Sequence, residues 1–329
     1  MFFRRRKRHG DKRRRDFHEL EVISDLCEIS LQEVLQRGHV HLHFHTSPLP
    51  DFVLGFARTG PDQGWNDKMN DALVLREDDG PIARLTLNNP NKLNALSDAM
   101  LAALHGTLDD VASDETIRVV ILSGAGKVFC AGHDLKEMQA ARQSEDGGRA
   151  AWLDLFERCS AVMARIQSLP QPVIAQAHGI ATAAGCQLVA TCDLAVAEHG
   201  TRFGVNGVNI GLFCSTPMVA LSRNIHRKQA FEMLTTGEFI DAERAREVGL
   251  INRIATGDVA TEAMELARTI AGKLGSAVRI GKQAFYEQAQ MPVAEAYAYT
   301  GDVMAANMAR EDTDEGISAF LEKRPPTWS

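Results

Sequence analysis

The chain has 329 residues, 45% of them hydrophobic and 24% charged, with a formal net charge of −7. Such a chain can bury a core as one large domain or two ordinary ones; collagen, a small disulfide scaffold and disorder throughout are excluded. Residues 173–197, the most apolar stretch, are broken by Gln176, His178, Gln187 and Asp193, so no membrane span is expected.

Charge is unevenly spread. Residues 1–15 hold nine Lys/Arg against one acid, Asp11, which leaves the body more acidic than the total implies. An acidic body binds nucleic acid poorly, and no nucleic-acid partner is expected. None of the six cysteines forms a C-x-x-C pair, and the start has no secretory apolar core. Buried thiols in a reducing compartment follow, with the cytoplasm as first placement. The Arg-rich tip keeps a mitochondrial leader open as the alternative, while Asp11, Asp16, Glu19 and Glu21 weigh against one.

Residues 1–70 sustain neither a helical nor a strand period, and Pro48, Pro50, Gly55, Gly60, Pro61 and Gly64 punctuate them. They read as a disordered arm, or as an extension upstream of an alternative start at Met69. His39, His41, His43 and His45 would share one strand face, but no thiol or carboxylate is spaced to complete a metal site.

From residue 72 the pattern changes. Residues 72–77 and 82–87 alternate like two strands around Asp78-Asp79-Gly80-Pro81. Ser97 is placed to cap a helix whose Leu101, Leu104, Leu108 and Val111 line one face. Strands are predicted at 119–123, 173–176 and 194–197, and helices at 151–169 and 183–191. After Thr216 the chain reads as almost all helix, one marked by Val259, Ala263, Leu266, Ile270 and Leu274. The order defines an α/β class with a helical C-terminal region.

Two small-residue segments each follow a predicted strand: residues 124–136 and residues 178–187. Small residues let a ligand approach the backbone, and the second segment opens a helix whose first N–H groups lack partners. Together the segments could aim two N–H donors at one oxygen, the geometry of an oxyanion hole. Tight turns explain either segment alone equally well. No G-x-G-x-x-G follows the first strand and no Walker loop is present, so a dinucleotide or phosphate-loop reading fails.

The runs Asn89-Pro90-Asn91-Lys92-Leu93-Asn94-Ala95-Leu96, Phe129-Cys130-Ala131-Gly132-His133-Asp134-Leu135-Lys136, residues 179–188 and Cys192-Asp193-Leu194-Ala195-Val196-Ala197 resemble the crotonase (enoyl-CoA hydratase/isomerase) superfamily. Residues 233–237 and 316–324 fit it too, and the resemblance covers about residues 71–328. It implies a crotonase-type spiral of ββα units over 71–260, a helical oligomerisation region over 261–329, and a homotrimer or hexamer. It also implies a coenzyme A thioester as substrate, with no other cofactor and no metal. By the resemblance, the N–H groups of His133 and Ala184 hold the thioester oxygen. Lys92, Ala131, Asp134, Leu135, Lys136 and Gly185 line the substrate, and Lys282 approaches the CoA phosphates from another subunit.

The acid and base of the family's hydratases are two glutamates, matched here by Gln187 and Gly207. Gln187 can orient water or substrate but cannot exchange a proton near neutrality. Glutamate at both positions is expected to raise hydration if the pocket accommodates both. Three functions remain: an enoyl-CoA hydratase-like enzyme of fatty-acid metabolism, a non-catalytic acyl-CoA binder, or a thioester isomerase or hydrolase with another base. The His133 side chain reads as an exposed loop residue or a catalytic group, Cys214 as buried, and Ser215 as the cap of the helix at Pro217. Asn206 and Asn209 lie near the expected acyl site.

Overall fold

The computed structural model describes residues 72–328; the expected arm, its four histidines and Met69 lie outside them. Strands β1 (Val74–Asp79) and β2 (Ile82–Leu87) form an antiparallel hairpin in which Asp79 pairs with Ile82. Only Gly80 and Pro81 remain in the turn, with Gly80 at φ +56°. The first strand thus runs two residues further than the pattern predicts, because a two-residue turn suffices.

Strands β3 (Val119–Gly124), β4 (Val173–Ala177), β6 (Leu194–Ala197) and β9 (Arg253–Ile254) continue the sheet in parallel, in the order β1-β2-β3-β4-β6-β9. A second sheet holds β5 (Ile180–Thr182), β7 (Arg202–Gly204) and β8 (Ile240–Asp241), in the order β5-β7-β8. The sequence pattern missed β5 and β7 to β9. At two or three residues each, they are too short to show a period.

Helices fall on both faces of the larger sheet. Helices α1 (Asp98–Ser113), α2 (Leu135–Ala140), α3 (Arg149–Ser168) and α4 (Ala184–Thr191) follow β2, β3 and β5. Ser97 caps α1, its hydroxyl accepting from Met100 N at 3.2 Å, and Leu101, Leu104, Leu108 and Val111 are buried as the spacing predicts. Alternation along the strands divides the core. Leu85, Leu87, Val120, Leu122, Val173 and Ala175 join α1, α3 and α4. Ile82, Val119, Ile121, Ile174 and Val196 pack instead on Ala263, Met264, Leu266, Ala267 and Ala271. A sheet covered on both faces needs these near-continuous apolar strands.

Helices α5 (Pro217–Asn224), α6 (Arg227–Thr236), α7 (Ala242–Glu247) and α8 (Val259–Ala271) complete this body. The boundary expected at 260 falls inside α8, the helix that covers the outer sheet face. Leu274 is not on α8: it is the N-cap residue of α9 (Gly275–Gln288). Ser215 is not the cap of α5 either; Thr216 holds that position, and the Ser215 hydroxyl turns back to Phe213 O. Helices α10 (Val293–Met308) and α11 (Glu311–Glu322) end the chain. No residue of α10 is buried, and Tyr297, Met304, Phe320 and Leu321 are exposed. Among the described residues no helix is long and apolar enough to cross a membrane.

Lys282 overturns one expectation. Its ammonium is buried inside the subunit, donating to Ile166 O (2.8 Å), Gln171 O (2.9 Å) and Asp193 Oδ2 (2.6 Å). It is therefore not placed to meet a phosphate. Asp193 also accepts from Tyr286 Oη at 2.8 Å and Val173 N at 2.7 Å, so this cluster fastens α9 to the ends of β4 and β6. Burial pulls the Lys282 ammonium below the ordinary lysine range, and Asp193 opposes that shift. Removing one partner of a buried pair strands the other charge. Lys282→Ala is therefore expected to lower unfolding free energy by about 3–5 kcal/mol in urea titration. A loss below about 1 kcal/mol would contradict this account of α9.

Candidate functional site

The site is built on the extended segment 129–134, between β3 and α2. Cys130 pairs with Ala181 of β5 through a parallel bridge, and Thr182 N donates to Cys130 O at 3.1 Å. Three residues on, His133 pairs with Leu96 through a second parallel bridge, in which Leu96 N donates to Gly132 O at 2.7 Å. A parallel bridge uses the groups flanking the paired residue. The N–H of His133 therefore faces away from Leu96.

What lies close by is the start of α4. A Cβ at Gly132 would stand 2.9 Å from Ala183 Cβ and 3.2 Å from Ala184 N. A Cβ at Gly185 would meet Cys130 O at 2.2 Å, closer than any side chain tolerates. Gly132 also sits at φ +91°. Both glycines are thus demanded by the approach of the two segments, and Gly185 packs on backbone. Ala184 is the first residue of α4, so its N–H has no partner within the helix. The segments carrying the His133 and Ala184 N–H groups therefore come together.

Two residues that sequence reasoning passed over hold this arrangement. Asn94 is fully buried at φ 53°, and its amide donates to Ala125 O (2.8 Å), Val128 O (2.9 Å) and Phe129 O (3.2 Å). It clamps the loop into segment 129–134 from behind. An asparagine in a left-handed position was the available signal. Ala183 sits at φ 49°, ψ −118°, donating to Gly204 O at 2.9 Å and accepting from Gln187 N at 3.0 Å. Such a backbone costs about 1–3 kcal/mol and persists only where its surroundings hold it.

The other expected site residues surround this pair unequally. Asp134 is buried and caps α2, accepting from Lys136 N (2.9 Å) and Glu137 N (3.3 Å). It also holds the exposed Lys92 ammonium at 3.3 Å. Leu135 is exposed at 54%, Lys136 is exposed, and Ala131 donates to Leu93 O at 3.0 Å. Asn206 and Asn209 serve the scaffold: Asn206 Oδ1 accepts from the Thr182 hydroxyl at 2.6 Å, and Asn209 donates to Gly237 O at 3.3 Å. Cys214 is buried, and burial pushes its thiol up; the same cause pushes the Cys186 thiol up to about 12. Thiols held so high are poor nucleophiles.

At the two positions that the sequence resemblance matches to the hydratase glutamates, the surroundings differ. Gln187 is 4% exposed, and its Oε1 has no hydrogen-bond partner among the described residues. Gly207 has no space for a side chain: a Cβ there would meet Leu212 O at 2.3 Å and Cys214 Sγ at 2.8 Å. The condition set on placing glutamate at both positions, that the pocket accommodate both, is not met at 207, where backbone closes the space.

The His133 side chain is not an exposed loop group. Its ring stands edge-on to Phe156 of α3, with centroids 5.6 Å apart, and its Nε2 is shut away from solvent with no partner among the described residues. Desolvation lowers its pKa to about 4, against a weak opposing pull from Asp98. Among the described residues no group of three metal-ligating side chains occurs.

Residues 77–329 match the enoyl-CoA hydratase/isomerase family, and the chain belongs to it. A relative from Rattus norvegicus, enoyl-CoA hydratase domain-containing protein 3, mitochondrial, is 42% identical over 285 residues, 86% of this chain and 93% of that protein. Among solved structures, an enoyl-CoA hydratase of Mycobacterium smegmatis is 53% identical with a TM-score of 0.74, covering 78% of this chain and 98% of its own. Human enoyl-CoA hydratase domain-containing protein 3 is 44% identical with a TM-score of 0.73, covering 78% and 100%. The crotonase fold expected from the sequence motifs is thereby established.

A neutral His133 has a consequence for acid stability. The unfolded imidazole titrates near 6.5 and the folded one at about 4. Between those values the unfolded chain binds more protons, so stability falls as pH drops from 6.5 to 4, by about 3 kcal/mol for this group. His133→Phe should flatten that part of the stability–pH curve, followed by urea titration at a series of pH values. An unchanged slope would place the imidazole in water.

Proposed function

We propose that this chain binds acyl-CoA thioesters and polarises the thioester carbonyl with the N–H groups of His133 and Ala184. The approach of Gly132 to Ala184 N, 3.2 Å from an added Cβ, carries the reading. Charge that develops on a thioester oxygen during proton removal at the α-carbon is stabilised by two preorganised donors. Each is worth about 3 kcal/mol in comparable sites. Lys92, Asp134, Leu135 and Lys136 form the rim where the CoA moiety would lie. CoA enters as part of the substrate, with no other cofactor and no metal.

Water addition by two carboxylates is not the chemistry these residues support. Gln187 offers no exchangeable proton near neutrality, and Gly207 offers neither a side chain nor space for one. An acyl-CoA binder or a weak, altered enoyl-CoA hydratase-like enzyme of fatty-acid metabolism fits them better. The exposed apolar residues of α10 and α11 favour assembly into a homotrimer or hexamer through these helices. The rat relative is named as mitochondrial, which supports that compartment over the cytoplasm.

Crotonyl-CoA hydration should run about 10²–10⁴-fold below a two-glutamate hydratase for each missing group, read by loss of enoyl absorbance. Gln187→Glu should raise the rate, whereas adding Gly207→Glu should cancel the gain by displacing Leu212. A wild-type rate equal to an ordinary hydratase would show that another acid or base reaches the acyl chain.

A further inference from the structure

Helices α5 and α6 each turn one side inward: Pro217, Ala220 and Leu221 on the first, Gln229, Ala230, Met233 and Leu234 on the second. Their outward sides are not the polar ones that water favours. Met218 and Val219 stand exposed on α5, and Phe231 on α6 is 64% exposed. The segment that leads into α5 adds Ile210, Leu212 and Phe213, all exposed. The two helices pack against each other, joined by Ile225 and His226 alone. Six exposed large apolar side chains therefore fall within residues 210–231.

The charge of this stretch is one-sided. No Asp or Glu occurs from residue 199 to residue 231, in a chain of net charge −7. Arg223, Arg227 and Lys228 lie exposed among the apolar residues. None of the three forms an ion pair among the described residues, whereas Arg76, Arg158, Arg253 and Arg324 each hold a carboxylate. The Arg223 guanidinium donates to Val219 O at 3.1 Å, within its own helix. The acid that follows, Glu232, accepts from Gln229 Nε2 at 3.1 Å.

Exposed apolar side chains are stabilised by leaving water, and unpaired cations by meeting anions. Two copies meeting through this same face would set cation against cation with no acid between them. An anionic bilayer surface satisfies both needs. Apolar side chains enter the boundary of its acyl chains, while guanidinium and ammonium groups stay among the headgroups. We propose that the outward face of residues 210–231, centred on α5 and α6, docks the protein on an anionic lipid surface. The contact is peripheral, needs no membrane span, and is independent of the acyl-CoA reading above.

The test mixes the full chain with vesicles of phosphatidylcholine alone, or of equal parts phosphatidylcholine and phosphatidylserine, and reads binding by sedimentation. Wild type should prefer the mixed vesicles strongly, and added salt should weaken that binding. Arg227→Gln with Lys228→Gln should weaken it about 10–30-fold, and Phe231→Ser about 10-fold. Residues 1–15 carry nine Lys/Arg of their own, so amide hydrogen exchange must locate the contact. Mixed vesicles should slow exchange in residues 210–231 of the wild type. No binding, binding unaltered in both variants, or protection confined to residues 1–15 would each overturn the proposal. So would a wild type that ignores vesicles while Phe231→Ser gives a smaller particle by light scattering, since the face would then lie between copies. The exchange measurement uses wild type alone and decides even if a variant does not fold.

Discussion

The close passage of residues 130–133 across the start of α4 is the constraint on which the site depends. Two backbones meet there with no room for a methyl group: Gly185 lies against Cys130 O, and Gly132 against Ala183 and Ala184. Everything nearby maintains that spacing. The bridge to Leu96 orients His133, Asn94 ties down the loop that leads in, and Ala183 is held in a strained backbone so that α4 can begin where it does. Preorganised donors are useful because they need not move when charge develops, and a rigid backbone contact supplies that rigidity.

The side chains of His133 and Gln187 beside this contact carry no charge. Position 187 carries a neutral carboxamide, position 207 is closed to a side chain by the Leu212 carbonyl and the Cys214 sulfur, and His133 is kept neutral by desolvation. The nearby Asp134 is buried, holds the Lys92 ammonium and caps a helix. Membership of the enoyl-CoA hydratase/isomerase family brings the scaffold, and a scaffold does not by itself fix the chemistry. Polar but neutral groups recognise and orient better than they exchange protons.

Away from the site, the same economy of charge recurs in one buried cluster. Lys282, Asp193 and Tyr286 join α9 to β4 and β6, so the helical end of the chain is anchored at one hydrogen-bonded node. Beyond that node, α10 and α11 present Tyr297, Met304, Phe320 and Leu321 outward, an apolar surface of the kind that partners cover.

Long periodic segments were legible in the residues: α1 with its serine cap, and the strands β2, β3, β4 and β6. Local chemistry marked the glycine-rich segments and the lack of a carboxylate at 187 and 207, since residue type alone decides whether a proton can be exchanged. Tertiary contact decided the rest. Nothing in a linear pattern tells that Lys282 turns inward to three acceptors rather than outward, or that His133 packs on Phe156 and loses its water. Nor does it tell that the glycine at 207 is hemmed in by the chain five residues on. Those properties depend on desolvation and on distances between segments far apart in sequence, and they exist only once the chain has closed on itself.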